Sequence, residues 1–157
     1  KSSAASEVYT RQGWRVVVVQ FLKGRRTGEL DALGKLGAVV LRGKAGGRFV
    51  PQMTAAERKE TRAMCDANFA RARDLCAADS APVLLVLDEI CAAYRESLVD
   101  TAAVDAFLAA VPDWVEVVLT GREPPERFFA RADYVTEMRC VRHPFDAGVA
   151  ARAGVEF

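Results

Sequence analysis

The sequence predicts an α/β domain built on a mostly parallel sheet with helices on both faces. Two observations carry that expectation. The first is the stretch Pro82-Val83-Leu84-Leu85-Val86-Leu87-Asp88-Glu89, in which five apolar residues run without alternation and stop at two acids. Such a run suits a strand buried on both sides, as in a parallel sheet covered by helices. Pro82 is compatible with the start of that strand but not with its interior. The second observation is order. β-Branched runs alternate with helix-like segments along the whole chain.

Taken from the beginning, Ser2 to Gln12 reads as a helix closed by Gly13. Arg15-Val16-Val17-Val18-Val19-Gln20-Phe21 is a second buried strand. Lys23-Gly24-Arg25-Arg26-Thr27-Gly28 is the loop at its carboxyl end. A short helix over Glu29–Leu36 and a brief strand over Ala38–Leu41 follow. Gly43–Gln52 is a glycine-rich loop carrying Lys44, Arg48, Phe49 and Pro51. Thr54–Ala78 is the longest helix, opened by a capping box of Thr54 with Glu57. Met64, Asn68 and Leu75 give it a weak apolar face. After the central strand come helices over Ile90–Glu96 and Thr101–Val111, then a strand over Trp114–Thr120 ending in Gly121-Arg122. Pro124–Ala130 is a helical turn. Tyr134–Met138 is expected to be the last strand, and Arg139–Phe157 is loop-like.

At 157 residues the chain is expected to be one domain, residues 1–157, large enough to bury a good core. Lys+Arg 22 against Asp+Glu 21 leaves a net charge of +1, so bulk charge makes no case for nucleic acid or a membrane surface. No apolar run approaches the roughly 18–20 residues that span a bilayer. The chain opens on Lys1 inside helix-like sequence, so a further segment is expected upstream. Cys65, Cys76, Cys91 and Cys140 form no CxxC pair, and His143 is the sole histidine. A zinc site is therefore poorly supported, and reduced, mostly buried thiols in a cytoplasmic protein are expected. With one histidine and no G-x-S-x-G, a nucleophilic triad has no support.

Three predicted strands end in polar clusters: Gln20 with the Lys23-Gly24 loop, Asp88-Glu89, and Thr120-Gly121-Arg122. Parallel strands bring such ends to one edge, where ligands of open α/β sheets collect. Acids for a metal and bases for phosphates on one edge suit nucleotide chemistry. Each piece also has a plainer reading. Asp88 and Glu89 can be a strand end and a helix start. Lys23, Arg25, Arg26 and Arg48 can be solvated loop charges. Arg122 can be a salt-bridge residue, and His143 structural.

The first residues sharpen the nucleotide reading. A P-loop reads G-x-x-x-x-G-K-[ST], its Lys and hydroxyl opening a helix. Lys1-Ser2-Ser3 open a helix here. If glycine precedes them, Lys1 is the phosphate lysine and Ser2 a magnesium ligand. The strand ending in Asp88-Glu89 is then its acidic partner.

The chain resembles the P-loop-type ATP:corrinoid adenosyltransferases along nearly its full length. The resemblance rests on Lys1-Ser2-Ser3-Ala4-Ala5, Val18-Val19-Gln20-Phe21-Leu22-Lys23-Gly24, Thr27-Gly28-Glu29, Val86-Leu87-Asp88-Glu89 and Leu119-Thr120-Gly121-Arg122. It continues through Val135-Thr136-Glu137-Met138-Arg139 and Val141-Arg142-His143-Pro144-Phe145-Asp146-Ala147-Gly148-Val149. It closes on Gly154-Val155-Glu156-Phe157. The region from Val141 onward is the most specific, because P-loop proteins in general do not carry it.

The resemblance implies a RecA-like P-loop fold, an upstream segment carrying the P-loop glycines, and a homodimer. It implies Mg2+ and ATP at Lys1, Ser2 and Ser3, with Glu89 as the acidic magnesium partner and Arg122 on the triphosphate. Asp88 is assigned a supporting place behind the metal. The implied reaction is attack by a Co(I) corrinoid on C5′ of ATP, with loss of triphosphate. A reductant is then needed, and an electron-donor protein such as a flavodoxin is a candidate partner. Relatives carry a Gly-Phe-Thr-Trp stretch near the corrinoid, where this chain has Gly46-Gly47-Arg48-Phe49-Val50. Phe49 is the remaining aromatic for the corrinoid side. Cys140 stands where relatives have Pro. Two rivals stay open on sequence: a P-loop ATPase cutting at the γ-phosphate, and a non-catalytic corrinoid- or nucleotide-binding protein.

Overall fold

Four of the apolar runs assemble into one parallel sheet. The computed structural model describes residues 8, 10, 12–24, 28–43 and 50–150. Its strands are β1 (Arg15–Gln20), β2 (Val39–Arg42), β3 (Val83–Asp88) and β4 (Val115–Leu119), in the order β2-β1-β3-β4. Every neighbouring pair is parallel. Registers set Gln20 opposite Asp88 and Leu87 opposite Leu119, so β1, β3 and β4 end level.

The unbroken apolar run of β3 has a direct cause. Every one of its residues is buried, and alternate side chains enter different cores. Leu85 and Leu87 join Val17, Val19, Phe69 and Ile90 on one face. Leu84 and Val86 join Val16, Val18 and Leu33 on the other. A strand with two dry faces has no place for a polar residue until it ends. Burying each leucine contributes about 1.5–3 kcal/mol.

The helices are α1 (Glu29–Lys35), α2 (Ala55–Ala77), α3 (Ile90–Arg95), α4 (Thr101–Ala109) and α5 (Glu126–Phe129). The capping box of α2 is present in full. Glu57 N–H donates to Thr54 Oγ1 at 3.2 Å and Thr54 N–H to Glu57 Oε2 at 2.7 Å. The expected apolar face of this helix is corrected by one position. Its buried residues are Thr61, Cys65, Phe69, Ala72 and Cys76, while Met64 and Leu75 only flank the core. The cysteines behave as small apolar residues and complete a stripe at steps of three and four. Phe69 then meets Phe107 of α4 edge-on, with ring centroids 5.7 Å apart.

One further expectation changes. Tyr134–Met138 is not a strand. Tyr134 is 93% exposed and Met138 63%. The strand reading rested on β-prone composition, but β-propensity yields a strand only where a neighbouring strand supplies the ladder. None of the four strands pairs with this segment. Cys140 is exposed, while Cys65, Cys76 and Cys91 are buried, and all four are free thiols. His143 is structural: its Nδ1 accepts the Phe145 N–H at 3.1 Å, capping a 3-10 turn over Pro144–Ala147. The helix expected over Ser2–Gln12 falls largely outside the described residues. Its closing residue, Gly13, is described, has φ +81 and donates its N–H to the Thr10 carbonyl at 3.0 Å.

Candidate active site

The level strand ends gather Gln20, Asp88 and Thr120 at the carboxyl edge of the sheet. Asp88 is the hub. It is 8% exposed and takes the Thr120 hydroxyl at 2.9 Å, the Lys23 ammonium at 2.8 Å and the Gln20 amide at 3.5 Å. Lys23 also reaches Glu29 at 3.1 Å, and the Gln20 amide donates to the same Glu29 oxygen at 2.9 Å. Lys23 is thus no solvated loop charge. Burial lowers its pKa, but the hydrogen bonds and attraction of Asp88 and Glu29 outweigh burial and hold it above the ordinary lysine value.

Glu89 follows in a left-handed conformation, φ 64 and ψ 22, at the start of α3. A non-glycine residue there costs on the order of 1 kcal/mol and persists where its surroundings hold it. Thr120 does so by accepting the Glu89 N–H at 3.0 Å. The Glu89 carboxylate is half-buried and makes no hydrogen bond or ion pair among the described residues. Burial pushes its pKa above the usual carboxylate range. Lys23 pulls it down, and the neighbouring Asp88 and Glu29 charges add to the rise. A desolvated, unpaired carboxylate is one that a cation would stabilise. Gln20 Oε1 is likewise buried without a partner among the described residues.

The described residues hold no cluster of three or more His, Cys, Asp or Glu suited to a metal by themselves. Mg2+ takes one or two carboxylates and completes its shell with water and substrate phosphate, and the half-buried Glu89 carboxylate would suit such an ion.

Gly121 closes β4. It has φ +145, and a Cβ on it would lie 2.5 Å from Cys91 Cβ. Glycine is required twice over, for the backbone and for the close approach to α3. Arg122 comes next and is exposed, with no ion pair among the described residues for its side chain. Its carbonyl takes the Arg95 guanidinium at 3.5 Å, and Arg95 pairs with Glu123 at 2.7 Å. The structure therefore joins Asp88, Glu89 and Thr120 directly and sets Arg122 beyond them on the same edge. Lys1, Ser2, Ser3 and Phe49 lie outside the described residues.

Sequence reasoning missed Glu29, read only as a helix start, and misread Lys23. It named Thr120 without giving it a role. Strand register was the signal for Thr120. Once Leu119 is set opposite Leu87, Thr120 must stand beside Asp88.

An all-parallel sheet with acids at the carboxyl end of a central strand defines an α/β protein consistent with the P-loop nucleotide-binding fold. Comparison with known families goes further. Residues 1–157 match the family described as ATP:corrinoid adenosyltransferase BtuR/CobO/CobP. A corrinoid adenosyltransferase from Sinorhizobium sp is 37% identical over 148 residues, 92% of this chain and 68% of that protein. One from Pseudomonas aeruginosa is 35% identical over 161 aligned residues, covering 100% of this chain and 78% of that protein. One from Escherichia coli K12 is 31% identical, again over 100% of this chain and 80% of its own length. The chain belongs to the ATP:corrinoid adenosyltransferase family, whose members are transferases.

Proposed function

We propose that this protein transfers the 5′-deoxyadenosyl group of ATP to the Co(I) of a reduced corrinoid. The cobalt–carbon bond forms as the bond from C5′ to the triphosphate oxygen breaks, and triphosphate leaves with that electron pair. The observation that carries the reading is Asp88-Glu89 at the end of β3, with the Glu89 carboxylate unpaired among the described residues, in a chain that matches the family throughout.

Co(I) is itself a strong nucleophile, so the protein needs no catalytic base. The lack of a triad agrees with that. Its tasks are to place C5′ and to neutralise the departing triphosphate. Lys1 and Ser2, with Ser3, bind the phosphates in this reading. Arg122, exposed at the same sheet edge, supplies positive charge to the leaving group. Mg2+, held by Ser2 and Glu89, would add charge neutralisation. Asp88, held by Lys23 and Gln20, supports Glu89 from the preceding position. Phe49 serves the corrinoid side. The reading includes a homodimer, a cytoplasmic location and reduction of the corrinoid by an electron donor such as a flavodoxin. No helix among the described residues is long and apolar enough to cross a membrane.

The test is a reaction of the full-length protein with magnesium-ATP and chemically reduced corrinoid under anaerobic conditions. A light-sensitive alkylcobalt spectrum with triphosphate is the expected result. Glu89→Ala should lose about a hundredfold or more of the rate, in line with loss of a group that holds charge in the transition state. ADP and phosphate with unchanged corrinoid would identify an ATPase instead. Binding with neither product would identify a carrier.

A further inference from the structure

We propose that Thr120 is a positioning residue for Glu89, its hydroxyl standing in for a main-chain acceptor so that the carboxylate is presented at the metal position. The inference rests on the reading of Glu89 as the magnesium carboxylate.

The hydrogen bonds have only one consistent direction. Asp88 lies beside the Lys23 ammonium and accepts; the Glu89 N–H can only donate. The Thr120 hydroxyl must therefore give its single proton to Asp88 at 2.9 Å and take the Glu89 N–H on a lone pair at 3.0 Å. The β3–β4 register shows what it replaces. Thr120 N–H donates to the Leu87 carbonyl at 3.1 Å, so the next ladder bond would run from Glu89 N–H to the Thr120 carbonyl. That carbonyl instead faces the Cys91 N–H at 3.4 Å, already part of α3. The chain turns from strand to helix within one residue, Glu89, and the hydroxyl satisfies the N–H that the turn would leave buried and unpaired. This also holds the left-handed backbone. Lys23 fixes Asp88 from the other side, so the hydroxyl has a rigid acceptor to lean on. β-Branching limits the threonine to few rotamers, which makes it a firm peg.

The test uses the full-length protein with Thr120→Val, Thr120→Ser, Glu89→Ala and the double variant Thr120→Val/Glu89→Ala. Two quantities are read: the Mg2+ concentration giving half-maximal adenosyl transfer, and the Mg2+-dependent gain in ATP affinity by calorimetry. Groups that orient a metal ligand typically change metal affinity about 10–100-fold. Thr120→Val should therefore raise the half-saturating Mg2+ about tenfold and reduce the calorimetric gain similarly. Thr120→Ser keeps the hydroxyl and both hydrogen bonds, so it should stay within about twofold of the parent. In the Glu89→Ala background Thr120→Val should add almost nothing, because the two act as one unit. Unchanged Mg2+ behaviour in a folded Thr120→Val protein would overturn the proposal, as would a loss that persists undiminished without Glu89. If Thr120→Val does not fold, Thr120→Ala carries the same cycle. Unchanged Mg2+ dependence in Glu89→Ala itself would overturn the underlying metal reading and this proposal together. Dependence lost in Glu89→Ala but kept in Thr120→Val would overturn the proposal alone.

Discussion

At the carboxyl edge of the sheet, Asp88 meets three side chains from the ends of β1 and β4, whereas from residue 129 to residue 150 every residue is exposed. Both regions carry family motifs. In the first, Gln20, Lys23, Asp88 and Thr120 hold one another, and the strand register dictates which residues meet. In the second, Tyr134, Val141 and Phe145 are 93%, 94% and 74% exposed, so the motif residues rest on no core. Motif specificity and packing are therefore independent. The residues that mark the family most narrowly are those that the described fold constrains least.

The two regions each contain cysteine, which gives the largest expected contrast. Burial pushes the Cys65 thiol up to about 12, with the nearby Asp66 charge adding to the rise. At pH 8 its thiolate fraction is then about one in ten thousand. Cys140 is exposed. Alkylation of the native protein with mass-spectrometric mapping should label Cys140 alone, and unfolding should release the other three. Rapid native labelling of Cys65 would show that α2 does not seal the core. The same shift sets a pH dependence. A thiol whose folded value lies above its unfolded value, ordinarily 9.0, contributes stability that is complete below 9.0 and lost as pH rises toward about 12. Cys76 and Cys91 are raised as well, chiefly by burial, and act in the same direction. Thermal midpoints should therefore fall on the alkaline side of pH 9.0 more steeply in the parent than in Cys65→Ala.

Next in size is Gly121→Ala. The added methyl meets Cys91 at 2.5 Å, on a backbone of φ +145. Strain and overpacking together should cost about 3 kcal/mol. Chemical denaturation measures it, and Cys91→Gly in the same chain should recover part of the loss. Full additivity of the two changes would mean that they do not touch.

Lys23→Met should cost about 2 kcal/mol, since it leaves Asp88 and Glu29 without their shared cation while each keeps other partners. Were Lys23 the solvated loop charge that its sequence context suggests, the change would be nearly silent. Denaturation midpoints of Lys23→Met and Lys23→Arg decide between the two, with Arg retaining part of the pairing.

That contrast shows what was legible in the sequence. β3 was readable because two dry faces leave a continuous apolar run, and the acids after it marked the edge. The capping box of Thr54 with Glu57 was readable because it is local. Lys23 and Glu29 were not, because their roles depend on a crossover that returns α1 beneath the end of β1. The apolar face of α2 was shifted by one because Cys65 and Cys76 were counted as spacers rather than core. Tyr134–Met138 failed for the opposite reason. Its composition is strand-like, but a strand is a property of a pair, and single-chain composition says nothing of the partner.

The smallest expected effect is the sharpest probe of the second region. Tyr134→Ala and Val141→Ala remove large apolar side chains that are almost fully exposed. Surface substitutions of this kind usually change stability by within about 0.5 kcal/mol. Denaturation should show no shift. The same substitutions measured under catalytic conditions show whether the exposed segment has a task other than folding. If rate falls while stability holds, the exposed segment contacts substrate or a second copy, and its apolar surface is spent on binding rather than folding. If stability falls as well, the segment packs against another part of the protein. Either result assigns the exposed apolar side chains a surface to cover, and the choice between them follows from which of the two numbers moves.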